Sequence, residues 1–104
     1  MMAMTVLNRD EILKLLRQFK DERGAFYHIQ TIGLCGSFAR GNMMEDSDID
    51  IALSVERPSF FTLIPLEDEL RNRISPKVHL IEIGEGFDKN SSIYKGIEKD
   101  VIYV

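Results

Sequence analysis

The apolar residues of this chain recur at two different spacings, which together predict helices alternating with strands. A helical spacing predicts a first helix over residues 9–23, which Asn8 and Glu11 begin as a capping box and Gly24 ends. Short β-branched and apolar runs predict strands over residues 29–35 and 48–55. The remaining pattern predicts a helix over 59–73, a strand over 77–83, a loop over 84–90, a short helix over 91–99 and a closing apolar segment over 101–104.

The predicted helix over residues 59–73 has two unusual features. Pro65 lacks the N–H of an interior helical residue, so the helix is expected to bend or to restart there. The helix also carries more apolar residues than one narrow stripe needs. Most of them would cover the sheet, and the excess at Phe60 and Phe61 predicts an apolar patch for another subunit.

Candidate chemistry lies where the first strand ends and the second begins. Gly36 and Ser37 predict a tight turn into a short helix, whose unpaired backbone N–H groups favour a phosphate. Asp48 and Asp50 alternate with isoleucines, so a strand would place both carboxylates on one face, roughly 6.5 to 7 Å apart. Carboxylates at this spacing suit a hard cation such as Mg²⁺. A plain turn and helix cap would explain Gly36 and Ser37 alone, but the aspartates that follow favour a nucleotide site.

The order Gly36-Ser37, ten residues, then Asp48-x-Asp50 resembles the signature of the minimal nucleotidyltransferases of the DNA polymerase beta superfamily, including MNT antitoxins paired with HEPN toxins. The segments Ser-Phe-Ala-Arg-Gly and Ser-Asp-Ile-Asp-Ile also resemble the usual sequences of this family at these motifs. The resemblance extends over nearly the whole chain. It implies an α/β (α+β) fold in which helices flank a small mixed β-sheet. It also implies that the protein transfers a nucleoside monophosphate to an acceptor hydroxyl. The group transferred would be AMP from ATP, or the nucleoside monophosphate of another NTP.

The same resemblance implies roles for individual residues. Asp48 and Asp50 would hold two Mg²⁺ ions, with Mn²⁺ as the alternative. The implied nucleotide-binding residues are Gly36, Ser37, Arg40 and Ser47. Arg40 has an equal alternative, an ion pair with Glu45 or Asp46 on the surface. Ser47 is expected to cap or orient an acidic neighbour.

The predicted third strand departs from the family. Active members usually carry a third carboxylate in a Val-Asp-Leu setting, and this chain has Val78-His79-Leu80. His79 is therefore either a general base or softer metal ligand, or a residue without a catalytic role. Glu82 is an imperfect substitute, since its odd spacing from His79 places it on the opposite face of a regular strand, and a bulge, of which the sequence gives no sign, would be needed to bring it back. Two hypotheses follow: an active nucleotidyltransferase, or a pseudoenzyme that acts by binding a partner.

Composition limits the remaining possibilities. The chain has 104 residues, 44% of them hydrophobic, which predicts a single domain over 1–104. A net charge of −4 argues against binding to a long nucleic acid. The single Cys35 excludes an internal disulfide and is expected to be buried, whereas His28 is expected on the surface. Neither a signal peptide nor a membrane span is evident, so the expected location is the cytoplasm, with a HEPN toxin or a second copy as protein partner.

Overall fold

The chain folds as a four-stranded mixed sheet with helices on both faces. The structure is a computed structural model that describes residues 7–44, 46–84 and 88–104. Its elements are α1 (Arg9–Tyr27), β1 (Ile29–Cys35), α2 (Gly36–Arg40), β2 (Ile49–Val55), α3 (Phe60–Arg73), β3 (Val78–Glu82), α4 (Ser92–Asp100) and β4 (Ile102–Tyr103). The strand order is β3-β2-β1-β4, in which β1 pairs antiparallel with β2 and β4, and β2 pairs parallel with β3. The predicted small mixed sheet is confirmed.

The two faces of the sheet pack against different helices. On one face, Ile49, Ile51 and Leu53 of β2 join the buried side chains of α1 and α3 in the larger core. On the other face, Cys35 and Ala52 form a smaller cluster with α4. Side chains alternate along a strand, so Asp50 lies on the α4 face. Within the described part of the chain, no helix is long and apolar enough to cross a bilayer.

Helix α1 begins as predicted and ends later than predicted. The Asn8 side chain accepts a hydrogen bond from the Glu11 N–H at 2.9 Å, and the Glu11 carboxylate accepts one from the Asn8 amide at 3.0 Å. The predicted stop at Gly24 is wrong, because the helix continues to Tyr27. The Tyr27 ring stacks on Phe19 with centroids 6.1 Å apart, and its hydroxyl donates to Glu69 at 2.8 Å. These tertiary contacts hold the extra turn in the helix.

The other elements agree with the predicted order, with small shifts at their ends. Helix α3 runs through Pro65 without interruption, so a restart is wrong there, while a bend stays a prediction. The third strand is shorter than predicted, at Val78–Glu82. The Ser91 hydroxyl caps α4 by accepting from the Tyr94 N–H at 3.1 Å. Residues 85–87 of the predicted loop lie outside the described residues.

Candidate functional site

The turn at Gly36 brings the two halves of the predicted site together. Gly36 has a φ of 73°, in the left-handed region that favours glycine. A Cβ placed on this residue would lie 2.5 Å from Oδ2 of Asp50, closer than side-chain carbons approach other atoms. Glycine is therefore needed here for its conformation and for its lack of a side chain. As a result, the Asp50 carboxylate lies directly against the backbone that opens α2.

Asp50 and Asp48 differ in their surroundings. Pairing of β1 with β2 sets Asp50 opposite Cys35, and 31% of the Asp50 side chain remains exposed. Asp48 is exposed and directly precedes β2, which begins one residue later than predicted. The Ser47 hydroxyl accepts from the Met44 N–H at 2.7 Å, and the Ser47 N–H donates to the Met44 carbonyl at 3.0 Å. Ser47 thus closes the turn that leads into Asp48; that it caps or orients an acidic neighbour stays a prediction.

His79 lies beside Asp50 on the neighbouring strand. The parallel register of β2 and β3 pairs these two residues, and Nδ1 of His79 lies 3.5 Å from Oδ1 of Asp50. This contact is an ion pair when the imidazole is protonated. The His79 side chain is 61% exposed and is therefore accessible from solvent. The expected neighbouring strands are confirmed, whereas a catalytic role for His79 stays a prediction.

Glu82 is bound elsewhere, as its spacing predicted. Its carboxylate accepts hydrogen bonds from the Val55 N–H at 3.1 Å and the Gly84 N–H at 2.8 Å. Glu82 also borders a groove with Phe60 and Leu80 on the α3 side of the sheet. It therefore does not serve as a third carboxylate beside Asp50.

The donor set at this turn suits a hard divalent cation. Asp50 brings a carboxylate oxygen against the turn and Asp48 directly precedes β2, and carboxylate oxygens are the ligands that Mg²⁺ and Mn²⁺ prefer. That the two carboxylates share one face stays a prediction. Among the residues described, no cluster of three or more His, Cys, Asp or Glu side chains is arranged to hold a metal. Mg²⁺ usually keeps several waters and binds through one or two carboxylates plus substrate phosphates. The residues therefore fit an open site that a nucleotide completes, and they do not fit a closed protein cage.

Arg40 is held by a residue that the sequence did not suggest. Its Nη1 lies 2.9 Å from Oδ2 of Asp100 at the end of α4, so the predicted pairing with Asp46 is wrong. The other predicted partner, Glu45, lies outside the described residues. The ion pair ties α2 to α4 beside a groove of about 290 Å³ that Gly36 and Asp50 also line. No local pattern indicates Asp100, because it lies 60 positions from Arg40 along the chain.

Cys35 and His28 behave as predicted. Cys35 is 2% exposed, and its thiol donates to the Asp50 carbonyl at 3.5 Å. Burial raises the pKa of this thiol to about 12, and the negative charges of Asp50 and Asp100 add to the effect. A thiol with this pKa is not a nucleophile near neutral pH. The His28 side chain is 70% exposed and lies far from this turn, at the end of α1.

Comparison with known proteins identifies the family of the chain. A family model described as polymerase beta, nucleotidyltransferase matches residues 9–103. The protein adenylyltransferase MntA of Thermococcus cleftensis is 33% identical over 102 residues, which cover 97% of this chain and 100% of that protein. A protein of Methanocaldococcus jannaschii, whose name assigns protein adenylyltransferase activity provisionally, is 39% identical over 95 residues, covering 90% of this chain and 95% of its own length.

A solved structure adds evidence on the fold. One chain of a toxin–antitoxin crystal structure with AMP-PNP superposes with a TM-score of 0.61, covering 93% of this chain and 72% of its own length. The two sequences are 24% identical, so this likeness concerns the fold alone. The mixed sheet and its helices are thus those of a polymerase beta-like domain.

Proposed function

The chain belongs to the polymerase beta nucleotidyltransferase family, and on that premise we propose that it transfers AMP from ATP to a hydroxyl group of a protein. Nucleotidyltransferases of this family generally use divalent metal ions. The observation that carries the proposal is the contact between the Asp50 carboxylate and the Gly36 turn. It brings a carboxylate oxygen, the kind of ligand that Mg²⁺ prefers, next to backbone N–H groups of a kind that suits a phosphate. The relative from Thermococcus cleftensis, named a protein adenylyltransferase, supports the choice of AMP and of a protein acceptor.

Each residue of the turn has a proposed role. Backbone N–H groups at Gly36 and Ser37 bind the phosphates, and Asp48 and Asp50 hold Mg²⁺, with Mn²⁺ as an alternative. When bound, Mg²⁺ or Mn²⁺ would neutralise the negative charge that develops around the α-phosphate. A hydroxyl can donate one hydrogen bond while accepting another, so Ser47 keeps a donor for the nucleotide. Arg40 is fixed beside the groove by Asp100, and the proposed role of its remaining guanidinium N–H groups is to donate to the phosphates.

His79 is the proposed general base. Nδ1 of its ring faces Asp50, so the carboxylate orients the imidazole and leaves Nε2 to accept the proton of the attacking hydroxyl. The second candidate is a pseudoenzyme that binds nucleotide and partner without transfer. It is favoured by the lack of a third carboxylate beside Asp50 in the described part of the chain.

The proposed acceptor is a HEPN-domain toxin, which would make this protein an antitoxin of the cytoplasm acting as a single domain over 1–104. The fold is that of a chain in a toxin–antitoxin complex, which supports this assignment. The groove at Asp50 has a volume of about 290 Å³, near the lower end for ligand sites. A partner that covers the groove would therefore complete the nucleotide site.

Labelling with α-labelled ATP tests the proposal. The protein is purified together with the products of the genes that flank its own, a HEPN-domain protein being the expected partner, and incubated with Mg²⁺ or Mn²⁺. We expect the wild type to label the partner, and Asp48→Asn with Asp50→Asn to abolish labelling together with metal-dependent thermal stabilisation by ATP. If His79→Asp labels the partner and the wild type does not, the wild type is a catalytically impaired member of the family. If neither the wild type nor His79→Asp labels a verified partner, the proposed transfer activity is contradicted.

A further inference from the structure

The outer face of α3 carries large apolar side chains in water. Phe60, Phe61 and Ile64, which together we call the α3 patch, are 80%, 95% and 58% exposed. They lie on one side of the helix, while Leu66 and Leu70 on the opposite side are fully buried. Single exposed apolar residues are ordinary, but a contiguous group on one helix face is typical of an interaction surface.

A groove adjoins the patch. It has a volume of about 730 Å³ and lies between the end of α1 and the first half of α3. Phe26, Tyr27 and Pro65 give it apolar walls, and Phe61 lies at its border. Phe26 is itself 65% exposed. A protruding aromatic side chain and a groove able to receive one therefore occur next to each other on the same surface.

Opposite charges lie at the two ends of this surface. Arg57 precedes α3 and borders the groove with Phe61, whereas Asp68 lies one turn beyond Ile64. Both side chains are exposed. Within residues 7–44, 46–84 and 88–104, neither of them makes an ion pair or a hydrogen bond. The next acidic residue along, Glu69, is by contrast paired with Arg23 at 2.8 Å.

We propose that this surface binds a second copy of the chain, with the two α3 helices antiparallel across a two-fold axis. Placing the axis midway between Phe61 and Ile64 sets each of these residues against the other in the second copy. The same axis brings the N-terminal end of each α3, which Arg57 precedes, towards Asp68 in the other copy. Apolar contact in the centre and two opposite-charge pairs at the rim then form together.

The available area suits a reversible dimer. Taking about 200 Å² for an aromatic side chain, the exposed parts of the α3 patch and Phe26 amount to roughly 500 Å² per copy. Two copies would bury roughly 1,000 Å² of apolar surface, and stable specific interfaces bury about 1,200 to 2,000 Å² in total. The α3 patch lies on the face of the sheet opposite to Asp50 and His79, so dimerisation leaves the candidate site open.

Sedimentation velocity over a wide range of protein concentration tests the proposal. We expect the wild type to dimerise as concentration rises and Phe61→Asp to remain monomeric. Ile93→Asp is the matched control, because Ile93 is 66% exposed but lies on α4; it should dimerise like the wild type. Thermal unfolding and metal-dependent stabilisation by ATP should be unchanged in Phe61→Asp, which separates this inference from the proposed function.

A charge exchange tests the arrangement itself. Arg57→Asp and Asp68→Arg should each weaken dimerisation roughly tenfold at low salt by facing like charges across the interface. The double variant should recover it, because the pairs are restored in reverse. A wild type that stays monomeric throughout, or a double variant no better than the single ones, would overturn the proposal. So would capture of a different protein by the α3 patch of a monomeric wild type.

Discussion

Substitution of Gly36 by alanine should damage the candidate site more than it damages the fold. The residue has a φ of 73°, and a non-glycine residue in this region costs roughly 1 to 2 kcal/mol. The new Cβ would also lie 2.5 Å from Oδ2 and 3.3 Å from the Cγ of Asp50. Asp50 is partly exposed, so its carboxylate can rotate away. That rotation removes the carboxylate oxygen from the turn.

Gly41→Ala is a matched control. Gly41 has a φ of 82° and ends the same helix, but a Cβ there would meet nothing within 4 Å. Both variants should lose about 1 to 2 kcal/mol from backbone strain, which lowers the Tm by roughly 4 to 12 °C for a domain of this size. In thermal unfolding with Mg²⁺ and ATP, Gly41→Ala should keep the ligand-dependent rise in Tm, and Gly36→Ala should lose it.

A double-mutant cycle isolates the contact. Asp50→Ala removes the carboxylate that the new methyl group meets, so Gly36→Ala should cost less stability in the Asp50→Ala background than in the wild type. Equal costs in the two backgrounds, together with an unchanged response to ATP in Gly36→Ala, would refute the reasoning. Asp50 would then not depend on the close approach at Gly36.

Three further predictions concern stability and reactivity. Gly24→Ala should raise stability by about 0.5 to 1 kcal/mol in denaturant unfolding, because Gly24 lies within α1 and its new Cβ would meet only Lys20 Cγ, at an ordinary 3.6 Å. Cys35 should resist a thiol reagent in the native protein at pH 8 and react after denaturation, since burial raises its pKa to about 12. The hydrogen bond from Arg23 holds the pKa of Glu69 below its usual value. Glu69 therefore adds stability that is fully present above its unfolded-state pKa of about 4.3 and is lost as pH falls through its lower folded-state pKa. The difference in the free energy of unfolding between the wild type and Glu69→Gln should shrink on acidification.

Short-range patterns predicted most of the fold. The alternation of isoleucines with Asp50 correctly predicted which face of β2 is buried in the larger core. The pair Asn8 and Glu11 correctly predicted where α1 begins. The order of the elements along the chain was correct for the same reason, since periodicity and turn residues are local signals.

Contacts between distant residues set the features that the sequence did not predict. Helix α1 passes Gly24 because Tyr27 binds Glu69 of α3, a contact that no local rule contains. Arg40 pairs with Asp100 because α2 and α4 pack against each other. Asp50 and His79 were placed together correctly only because a family resemblance suggested neighbouring strands, since the parallel register is itself a long-range property.

The antiparallel pairing of β1 and β2 has a consequence for how the site assembles and how it can vary. Cys35 and Asp50 are 15 positions apart, so the chain aligns Gly36 with Asp50 by closing one short loop. His79 reaches Asp50 only after the chain passes through α3 and returns in parallel. The hairpin thus holds the glycine turn and Asp50 in one local unit, whereas His79 lies on a separate element, β3. Exchange of the residue at position 79 can therefore alter the chemistry of the site without disturbing the hairpin that holds Gly36 and Asp50.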